Sequence, residues 1–305
     1  MEFSTITPAD YARLTPYFQN QRHELCSYSL ASILVWSNPL HHPCAAEADG
    51  ALYVRTTFTD KRRKNFLFLP IHPSREYSPA ELAALLPRAG VDRLGFVTDA
   101  YLKRWGKDAV REHFTIRSMA GYHDYVYVTR ELAELPGNRF HKKRNLLRQF
   151  MKKYLETGRA AAEPMGPKNR AEVLDFLEAW CRERDCDQTP ESSMACEKIA
   201  AQNAINNLEK LSDARGLAVR VDGEVSAFGI AARVTDTMGA MHFEKAFVRH
   251  KGLYQYLDSE CARTILAPYE WTNKESDMGL AGLRQAKRSY MPARMVRSYC
   301  LLAKT

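Results

Sequence analysis

The sequence predicts an α+β protein of two units, and three features support that prediction. The second half reads as ααβββαβαβ in predicted helices and strands. Within it, Asp222-Gly223 stands between two runs of alternating residues, which is the pattern of a two-residue β-hairpin. Leu135-Pro136-Gly137 interrupts the chain near its middle. The length of 305 residues, 45% of them apolar, fits two modest domains or one large domain.

The first half is predicted to begin with a helix, because Thr7 is a favourable N-cap and Pro8 suits the first helical position. Ser78 and Glu81 form the pattern of a capping box around Pro79 and predict a further helix. Strands are predicted where β-branched, aromatic and apolar residues cluster. These runs are 51–58, 65–71, 93–99 and 122–130, and the first two read as a hairpin.

The second half begins with two helical stretches, 169–184 and 191–211, which precede the hairpin. A third strand is predicted at Ala240–Val248, and a helix follows Gly252. The remaining predicted elements are a short strand at Tyr269–Asn273, a helix from about Gly279 to Tyr290, and a final strand at 293–303.

Composition argues against a secreted or membrane-spanning protein. No run approaches the roughly 18–20 apolar residues that cross a bilayer, and the N-terminus lacks the basic and apolar regions of a signal peptide. The seven cysteines include no CxxC and indicate free thiols in a reducing cytoplasm. Cys181, Cys186 and Cys196 could suggest a metal cluster, but no His accompanies them, and inert cysteines are the favoured interpretation. We therefore expect a cytoplasmic protein with no metal and no tightly bound cofactor.

One stretch, Asn138–Tyr154, is strongly basic, with Asn138 as a candidate helix N-cap. It has no acid and seven cations, against a net charge of +8 for the whole chain. The cations are Arg139, Lys142, Lys143, Arg144, Arg148, Lys152 and Lys153.

A helix over this stretch would be amphipathic. Its apolar arc would contain Phe140, Leu147, Phe150, Met151 and Tyr154. A solvated surface helix explains the opposite stripe of Arg144, Arg148 and Lys152. It does not explain Lys143, which projects into the apolar arc, or cations in a first turn that the helix dipole disfavours. A polyanion would relieve both problems, so we expect Lys142, Lys143, Arg144 and Arg148 to bind phosphates, and tRNA suits that charge density better than CoA.

The order of the second half resembles the GNAT acyltransferase fold. Three segments, 122–150, 242–260 and 272–292, together resemble the DUF2156 family, which is similar to the C-terminal catalytic domain of phosphatidylglycerol lysyltransferases. The resemblance implies a tandem GNAT-like fold, with two mixed sheets flanked by helices. It implies a degenerate GNAT-like domain at 1–137, a basic linking helix at 138–158 and a catalytic GNAT-like domain at 159–305. It also implies transfer of an aminoacyl group from aminoacyl-tRNA to an amine or hydroxyl, as in Fem-type transferases.

The segment "VRHKGLY" matches part of the GNAT pyrophosphate loop. Arg249 and Gly252 fit the pattern, whereas Tyr254 replaces a small residue and would narrow the approach of a pyrophosphate to the helix N-terminus. This departure disfavours acetyl-CoA without excluding it, and an ordinary strand-to-helix turn explains the segment about as well.

The helix near the C-terminus has cations on its inner face. Arg284 and Lys287 fall within the arc of Leu280, Leu283, Tyr290 and Met291, and buried cations require partners. Snorkelling of the two long side chains into water is the alternative. We interpret Asp277, Arg284 and Lys287 as lining one polar pocket, with Tyr290 beside them, although Asp277 could be only an N-cap.

The strand "HFEKA" is predicted to be central, so Glu244 or Lys245 should be enclosed. Glu244 or Asp277 would then take a proton from the acceptor or hold the α-ammonium of the donor, with a structural charge partner for Arg284 or Lys287 as the alternative role of Glu244. Lys287 and Arg284 would stabilise the oxyanion and the departing ribose oxygen. His141 and His242 are interpreted as structural.

The resulting hypothesis is an aminoacyltransferase. Aminoacyl-tRNA is its co-substrate, the acceptor is a lipid or a small molecule, and the protein could contact an anionic membrane peripherally. An acyl-CoA N-acyltransferase with the same pocket is the alternative, and a non-catalytic RNA-binding protein is a second one. Paired acids and cations in the pocket would favour the enzymes.

Overall fold

The protein consists of two seven-stranded mixed sheets flanked by helices. A computed structural model describes residues 1–60, 62–184 and 193–304, without the side chains of 193–196. Cys186 and the side chain of Cys196 therefore lie outside the described residues. The strands are β1 (Ser4–Thr5), β2 (His41–Ala48), β3 (Ala51–Phe58), β4 (Phe66–Leu67), β5 (Arg93–Thr98), β6 (Phe114–Ser118), β7 (Asp124–Val128), β8 (Ala160–Pro164), β9 (Ala214–Val221), β10 (Glu224–Arg233), β11 (Met238–Ala246), β12 (Trp271–Asn273), β13 (Arg294–Val296) and β14 (Ser298–Ala303).

The helices lie on both faces of the sheets. They are α1 (Tyr11–Leu14), α2 (Leu30–Val35), α3 (Pro79–Arg88), α4 (Asp99–Trp105), α5 (Lys107–His113), α6 (Thr129–Glu134), α7 (His141–Phe150), α8 (Arg170–Glu183), α9 (Ser193–Asn207), α10 (Leu253–Arg263) and α11 (Ala281–Arg288). Several short 3₁₀ turns join them, and α7 continues as a π-helical turn, Met151–Leu155.

The two predicted helix starts in the first half are confirmed. Thr7 and Asp10 form a capping box, and so do Ser78 and Glu81, each with Pro at the first helical position. The basic helix differs from the prediction, because Asn138 does not cap it. A 3₁₀ turn, Asn138–Phe140, leads into α7, and its N-cap is Gly137.

The predicted hairpin of residues 51–71 is part of a larger arrangement. β3 does pair with β4, but only through Arg55 and Thr56, whereas it pairs along its whole length with β2. The sequence of β2 begins His-His-Pro and continues with Ala and Glu, which have low strand propensity. Its pairing with the buried strand β3 overrides that propensity.

The predicted order of the second half is confirmed at its centre. β9 and β10 pair as an antiparallel hairpin around Asp222-Gly223, and β11 is the fourth of the seven strands in its sheet. That second sheet runs in the order β13-β7-β12-β11-β10-β9-β8. β8 was not predicted, and β11 starts and ends two residues earlier than the predicted strand.

The two halves exchange strands, which the division at residues 137 and 158 does not anticipate. β7 belongs to the first half in sequence but pairs with β12 and β13 in the second sheet. The predicted final strand is in fact two strands, because β14 crosses to the first sheet and lies between β5 and β6. The first sheet therefore runs β1-β2-β3-β4-β5-β14-β6. Residues 155–305 therefore do not contain every strand of the second sheet, because β7 comes from the first half of the chain.

An opening between β11 and β12 positions the candidate site. These two strands are parallel and pair at only three positions, Met238–Ala240 with Trp271–Asn273. Beyond Ala240, β11 continues to Ala246 while β12 ends at Asn273. Side chains from β11, α10 and the segment after β12 fill the space between the diverging chains.

Candidate functional site: a buried charge cluster between β11 and β12

Three charged side chains meet in the opening between β11 and β12. The ammonium of Lys274, directly after β12, lies 2.7 Å from Asp258 Oδ1 on α10 and 2.9 Å from Glu244 Oε2 on β11. Asp258 is only 2% exposed, so its charge is removed from water. We call Glu244, Asp258 and Lys274 the charge cluster.

The charges of this cluster depend on one another. Burial disfavours the ammonium of Lys274, but Asp258 and Glu244 outweigh it and raise the pKa of Lys274 well above its ordinary value. Burial also raises the pKa of Glu244, although Lys274 opposes the effect. Within the described part of the chain, Asp258 Oδ2 has no hydrogen-bond partner. A buried carboxylate oxygen without a donor is costly, and it marks a place where a ligand could donate.

Two aromatic–cation contacts close the cluster on the side of α7. The ring of Tyr290 lies 5.1 Å from the ammonium of Lys274 and 4.0 Å from that of Lys143. Burial lowers the pKa of Lys143, and it raises the pKa of Tyr290 well above the ordinary value. Lys143 therefore projects from the basic helix into the site.

Lys287 of α11 adds another cation at the edge of the cluster. Its ammonium donates to the carbonyl oxygen of Lys274, and Tyr127 donates to the carbonyl oxygen of Lys287 over 2.8 Å. Burial lowers the pKa of Lys287, while Glu275 and Glu244 act against that effect. Both contacts hold α11 over the opening.

Asp277 and Arg284 form a separate ion pair, so the single polar pocket predicted for Asp277, Arg284 and Lys287 is not present. Arg284 Nε lies 2.9 Å from Asp277 Oδ2, and Tyr125 donates to the same oxygen over 2.7 Å. The Arg284 hydrogen bond is the main cause that lowers the pKa of Asp277 to about 2. The predicted association of Asp277 with Arg284 is therefore present, but Lys287 does not share it. The helical wheel placed both cations on one arc, whereas Arg284 reaches back toward the N-terminal end of α11 and Lys287 contacts Lys274.

A histidine–carboxylate pair lies next to the cluster. His242 Nδ1 is 2.8 Å from Glu275 Oε1, and the His242 side chain is 3% exposed. Nearby, Asp124 Oδ2 accepts from the backbone N–H of Cys26 over 2.7 Å and from Asn273 Nδ2 over 2.8 Å. Burial raises the pKa of Asp124 to about 6 despite these donors.

Lys245 lies on the opposite face of β11 from the charge cluster. Its ammonium pairs with Glu197 of α9 and lies 4.6 Å from the centre of the Trp180 ring. The prediction that Glu244 or Lys245 is enclosed therefore holds for both. Of the other predicted site residues, Tyr254 interacts electrostatically with Lys245, and both side chains contact Trp180, on the side of β11 away from the charge cluster.

The loop from Arg249 to Tyr254 is closed by the basic helix. A Cβ atom on Gly252 would lie 2.1 Å from the carbonyl oxygen of Leu146, and Gly252 has a φ of +88°. Helix packing thus explains why this position is glycine. Arg249 stacks on Phe247 and pairs with Glu183 over 2.8 Å.

The other predicted residues of this region differ in how far they are exposed to solvent. Tyr254 is partly buried and packs against the apolar cluster under α7 and α10. Lys142 and Arg148 are exposed on α7. Arg144 donates to the carbonyl oxygens of Leu135 and Gly137, which holds the turn before α7.

Asp258 and Lys274 are the main site residues that sequence reasoning missed. Asp258 follows the buried Leu257 on α10, and Lys274 directly follows a short buried strand. Each is a charged residue in a segment that is otherwise buried, as Lys143 is on the apolar arc of its helix. A search for charged residues within predicted buried segments could have identified them.

No helix in the described ranges is long and apolar enough to span a membrane.

The chain matches the family model described as phosphatidylglycerol lysyltransferase, C-terminal, over residues 20–302. An uncharacterised protein of Mycoplasmoides gallisepticum is 24% identical over 176 residues, 58% of this chain and 54% of that protein. The chain thus spans about half the length of this curated relative.

Two solved structures are similar over almost the whole chain. A conserved protein of unknown function from Bacteroides thetaiotaomicron superposes with a TM-score of 0.88 at 26% identity, covering 100% of both chains. The C-terminal DUF2156 domain of a putative lysylphosphatidylglycerol synthetase from Agrobacterium fabrum gives a TM-score of 0.65 at 14% identity, covering 96% of this chain and 91% of that one. The predicted α+β fold of two mixed sheets flanked by helices is confirmed, and it is the fold of this DUF2156 domain. The family match covers nearly the entire length, and the chain belongs to the family of phosphatidylglycerol lysyltransferase C-terminal domains.

Proposed function

We propose that this acyltransferase moves an aminoacyl group from aminoacyl-tRNA to a hydroxyl or amine of an acceptor, with a membrane lipid as the preferred acceptor. The observation that carries the proposal is the charge cluster. Asp258 Oδ2 is buried and has no donor among the described residues. The ammonium of an aminoacyl group would supply that donor, whereas an acetyl group has none.

The arrangement of the cluster also suits an acyl transfer. Lys274 forms ion pairs with both acids in the free protein, so their orientation is fixed before a substrate arrives. Lys287 and Lys143 add positive charge on the other sides of the opening, where charge that develops on a carbonyl or ribose oxygen would be stabilised. The acceptor attacks the carbonyl carbon, the ester bond to the ribose breaks, and no covalent enzyme intermediate is required.

The geometry of α7 supports tRNA over CoA as the donor. Leu146 lies against Gly252 at the start of α10, which is where a CoA pyrophosphate would approach that helix. Arg249 is already paired with Glu183. Lys142 and Arg148 are exposed on the same helix that sends Lys143 into the site. A polyanion could therefore lie along α7 with its acylated end near Lys143.

The surface around α11 supports a lipid acceptor. Eight large hydrophobic side chains are exposed among the described residues, and five of them lie on or beside the segment that contains α11. These five are Tyr122, Met278, Leu280, Met291 and Met295. Arg288 and Arg297 are exposed in the same region. Apolar side chains interspersed with cations suit the interface of an anionic bilayer.

The proposal is tested by following label from two donors. Transfer RNA charged in bulk with radiolabelled amino acids, lysine included, is compared with labelled acetyl-CoA, each with vesicles of phosphatidylglycerol and phosphatidylcholine. We expect label from charged tRNA in the lipid fraction and none from acetyl-CoA. Replacement of phosphatidylglycerol by a small amine or by phosphatidylcholine alone distinguishes a lipid from a soluble acceptor.

Two variants separate the roles of the donor contacts. Asp258→Asn should reduce transfer without changing tRNA binding, because it alters only the ammonium site. The triple change of Lys142, Lys143 and Arg144 to Ala should weaken tRNA binding and flatten its salt dependence by about one unit in log–log slope per lost phosphate contact. A parent that binds tRNA no better than a basic control protein, or that transfers acetyl from CoA at micromolar concentration, contradicts the proposal.

A further inference from the structure

Deprotonation of the attacking group requires a base, and neither predicted acid suits that role. Asp277 is held by Arg284 and Tyr125, and its pKa near 2 makes it a weak proton acceptor. Burial raises the pKa of Glu244, but its Oε2 is occupied by the ion pair with Lys274 in the charge cluster. The base must therefore be sought elsewhere in the opening between β11 and β12.

His242 occupies an irregular position on β11. Ile230 of β10 pairs with Phe243 and the next residue, Ala231, pairs with Met241, so His242 is an extra residue with no partner opposite it. Such a β-bulge redirects the side chain of the extra residue. Here the side chain reaches Glu275, which directly follows Lys274.

Glu275 is itself fixed in an unusual conformation. Its φ is +59°, which is strained for a residue other than glycine. Its backbone N–H donates to Asn273 Oδ1 over 2.7 Å, and its carbonyl oxygen accepts from the N–H of Tyr125 over 3.1 Å. The carboxylate is thereby held against the imidazole.

The hydrogen bond determines which nitrogen of His242 can accept a proton. An ionised carboxylate only accepts, so the proton of the His242–Glu275 bond belongs to Nδ1. Nε2 of the neutral imidazole is then a free acceptor. In the described chain this buried atom has no hydrogen-bond partner. A base oriented by a carboxylate, with its second nitrogen free, has the geometry of general-base catalysis.

We infer that His242, oriented by Glu275, is the general base that deprotonates the acceptor, an inference that rests on the proposed function. The proton passes from the attacking hydroxyl or amine to Nε2 as the new bond to the carbonyl carbon forms. The ester bond to the ribose then breaks, and the proton is returned to the ribose oxygen. Glu275 stabilises the imidazolium in between. The other titratable groups around the pair are Cys26, Asp124, Glu244, Lys274 and Lys287.

The test separates the role of His242 Nδ1, which holds Glu275, from that of Nε2, which would accept the proton. His242→Asn keeps a donor to Glu275 but removes the acceptor at Nε2. With charged tRNA and phosphatidylglycerol vesicles we expect transfer to fall by about 10²–10⁴-fold. Hydroxylamine is unprotonated near neutral pH and needs no base, so its acylation above the uncatalysed rate should stay within about tenfold of the parent. His41→Asn, in the first sheet, is the matched control and should behave as the parent.

Several outcomes overturn the inference. Equal loss with both acceptors would mean that His242 only positions the site, and no loss would mean that it has no role. If the parent protein is inactive with every charged tRNA, the proposed function itself is contradicted. The other outcomes all require an active parent, so the two failures are distinguishable. A ¹⁵N NMR measurement is independent of any donor. It should find the proton on Nδ1 and not on Nε2, with that preference lost in Glu275→Ala, and a proton on Nε2 at pH 8 refutes the base.

Discussion

Lys274→Met should destabilise the fold more at alkaline pH than at acid pH. Lys274 is the ion-pair partner of Glu244 and Asp258, and its removal leaves two buried carboxylates without that partner. Removing one member of a buried ion pair costs about 3–5 kcal/mol. The acids can escape that cost by binding protons, at about 1.4 kcal/mol for each pH unit above an ordinary carboxyl pKa near 4.

The direction of the pH dependence follows from the unpaired acids. In the variant the folded state would bind protons more tightly than the unfolded state, so stability falls as the pH rises. At pH 8 protonation offers little relief, and we expect the loss of about 3–5 kcal/mol. At pH 5 protonating both carboxyls costs about 2.5 kcal/mol in total, because the ordinary pKa is about 3.9 for Asp and about 4.3 for Glu, and this limits the loss to about that value.

Urea unfolding followed by circular dichroism at pH 5 and pH 8 measures these differences. Lys103→Met is the control, because Lys103 forms an exposed pair with Asp99 at 3.2 Å and should lose less than about 1 kcal/mol at either pH. The triple variant of Lys274→Met with Glu244→Gln and Asp258→Asn should recover most of the stability at pH 8. A loss below about 1 kcal/mol in Lys274→Met, or a loss that is the same at both pH values, would refute a buried charge cluster.

Two further predictions concern residues around the site. The pKa of Asp124 is raised to about 6, so the folded state binds this proton more tightly than the unfolded state does. The resulting stabilisation, about 3 kcal/mol, is lost as the pH rises from about 4 to 7. Asp124→Asn should flatten that part of a urea-unfolding pH series, and an unchanged slope would contradict the shift. Gly252→Ala should cost at least about 2 kcal/mol, because its Cβ would meet the carbonyl oxygen of Leu146. Gly158→Ala, with a similar φ of +69° and open space, should cost only about 1 kcal/mol, and equal losses would show that α7 does not pack closely on α10.

Local patterns in the sequence predicted the elements that local chemistry determines. The capping boxes at Thr7 and Ser78 and the hairpin at Asp222-Gly223 depend on residues only a few positions apart. The exchange of β7 and β14 between the sheets could not be predicted in this way. A strand pattern states that a segment pairs but does not state with which sheet, because the partners lie far away in sequence.

Site residues were likewise predicted where a local pattern identified them and missed where their role depends on residues far away in sequence. Glu244 was found because it interrupts an apolar strand predicted to be central. Lys274 was missed because its role depends on Asp258 and Glu244, which lie 16 and 30 residues away in the chain and meet only in the opening beside β12. Lys287 was correctly expected to be enclosed, but its association with Lys274 rather than Asp277 depends on the direction of α11.

Lys143 links the two properties of the basic helix that sequence patterning could not reconcile. A solvated helix has no reason to place a cation on its apolar arc, and a helix that only binds phosphates has no reason to bury one. In the structure Lys143 leaves the exposed face of α7, contacts Tyr290 and faces Asp258 and Glu244, while Lys142 remains exposed. Cations of α7 therefore lie both on the surface, at Lys142, and beside the charge cluster, at Lys143. An anionic donor attracted to that surface would be led toward the opening, whereas a neutral donor would gain nothing from this arrangement.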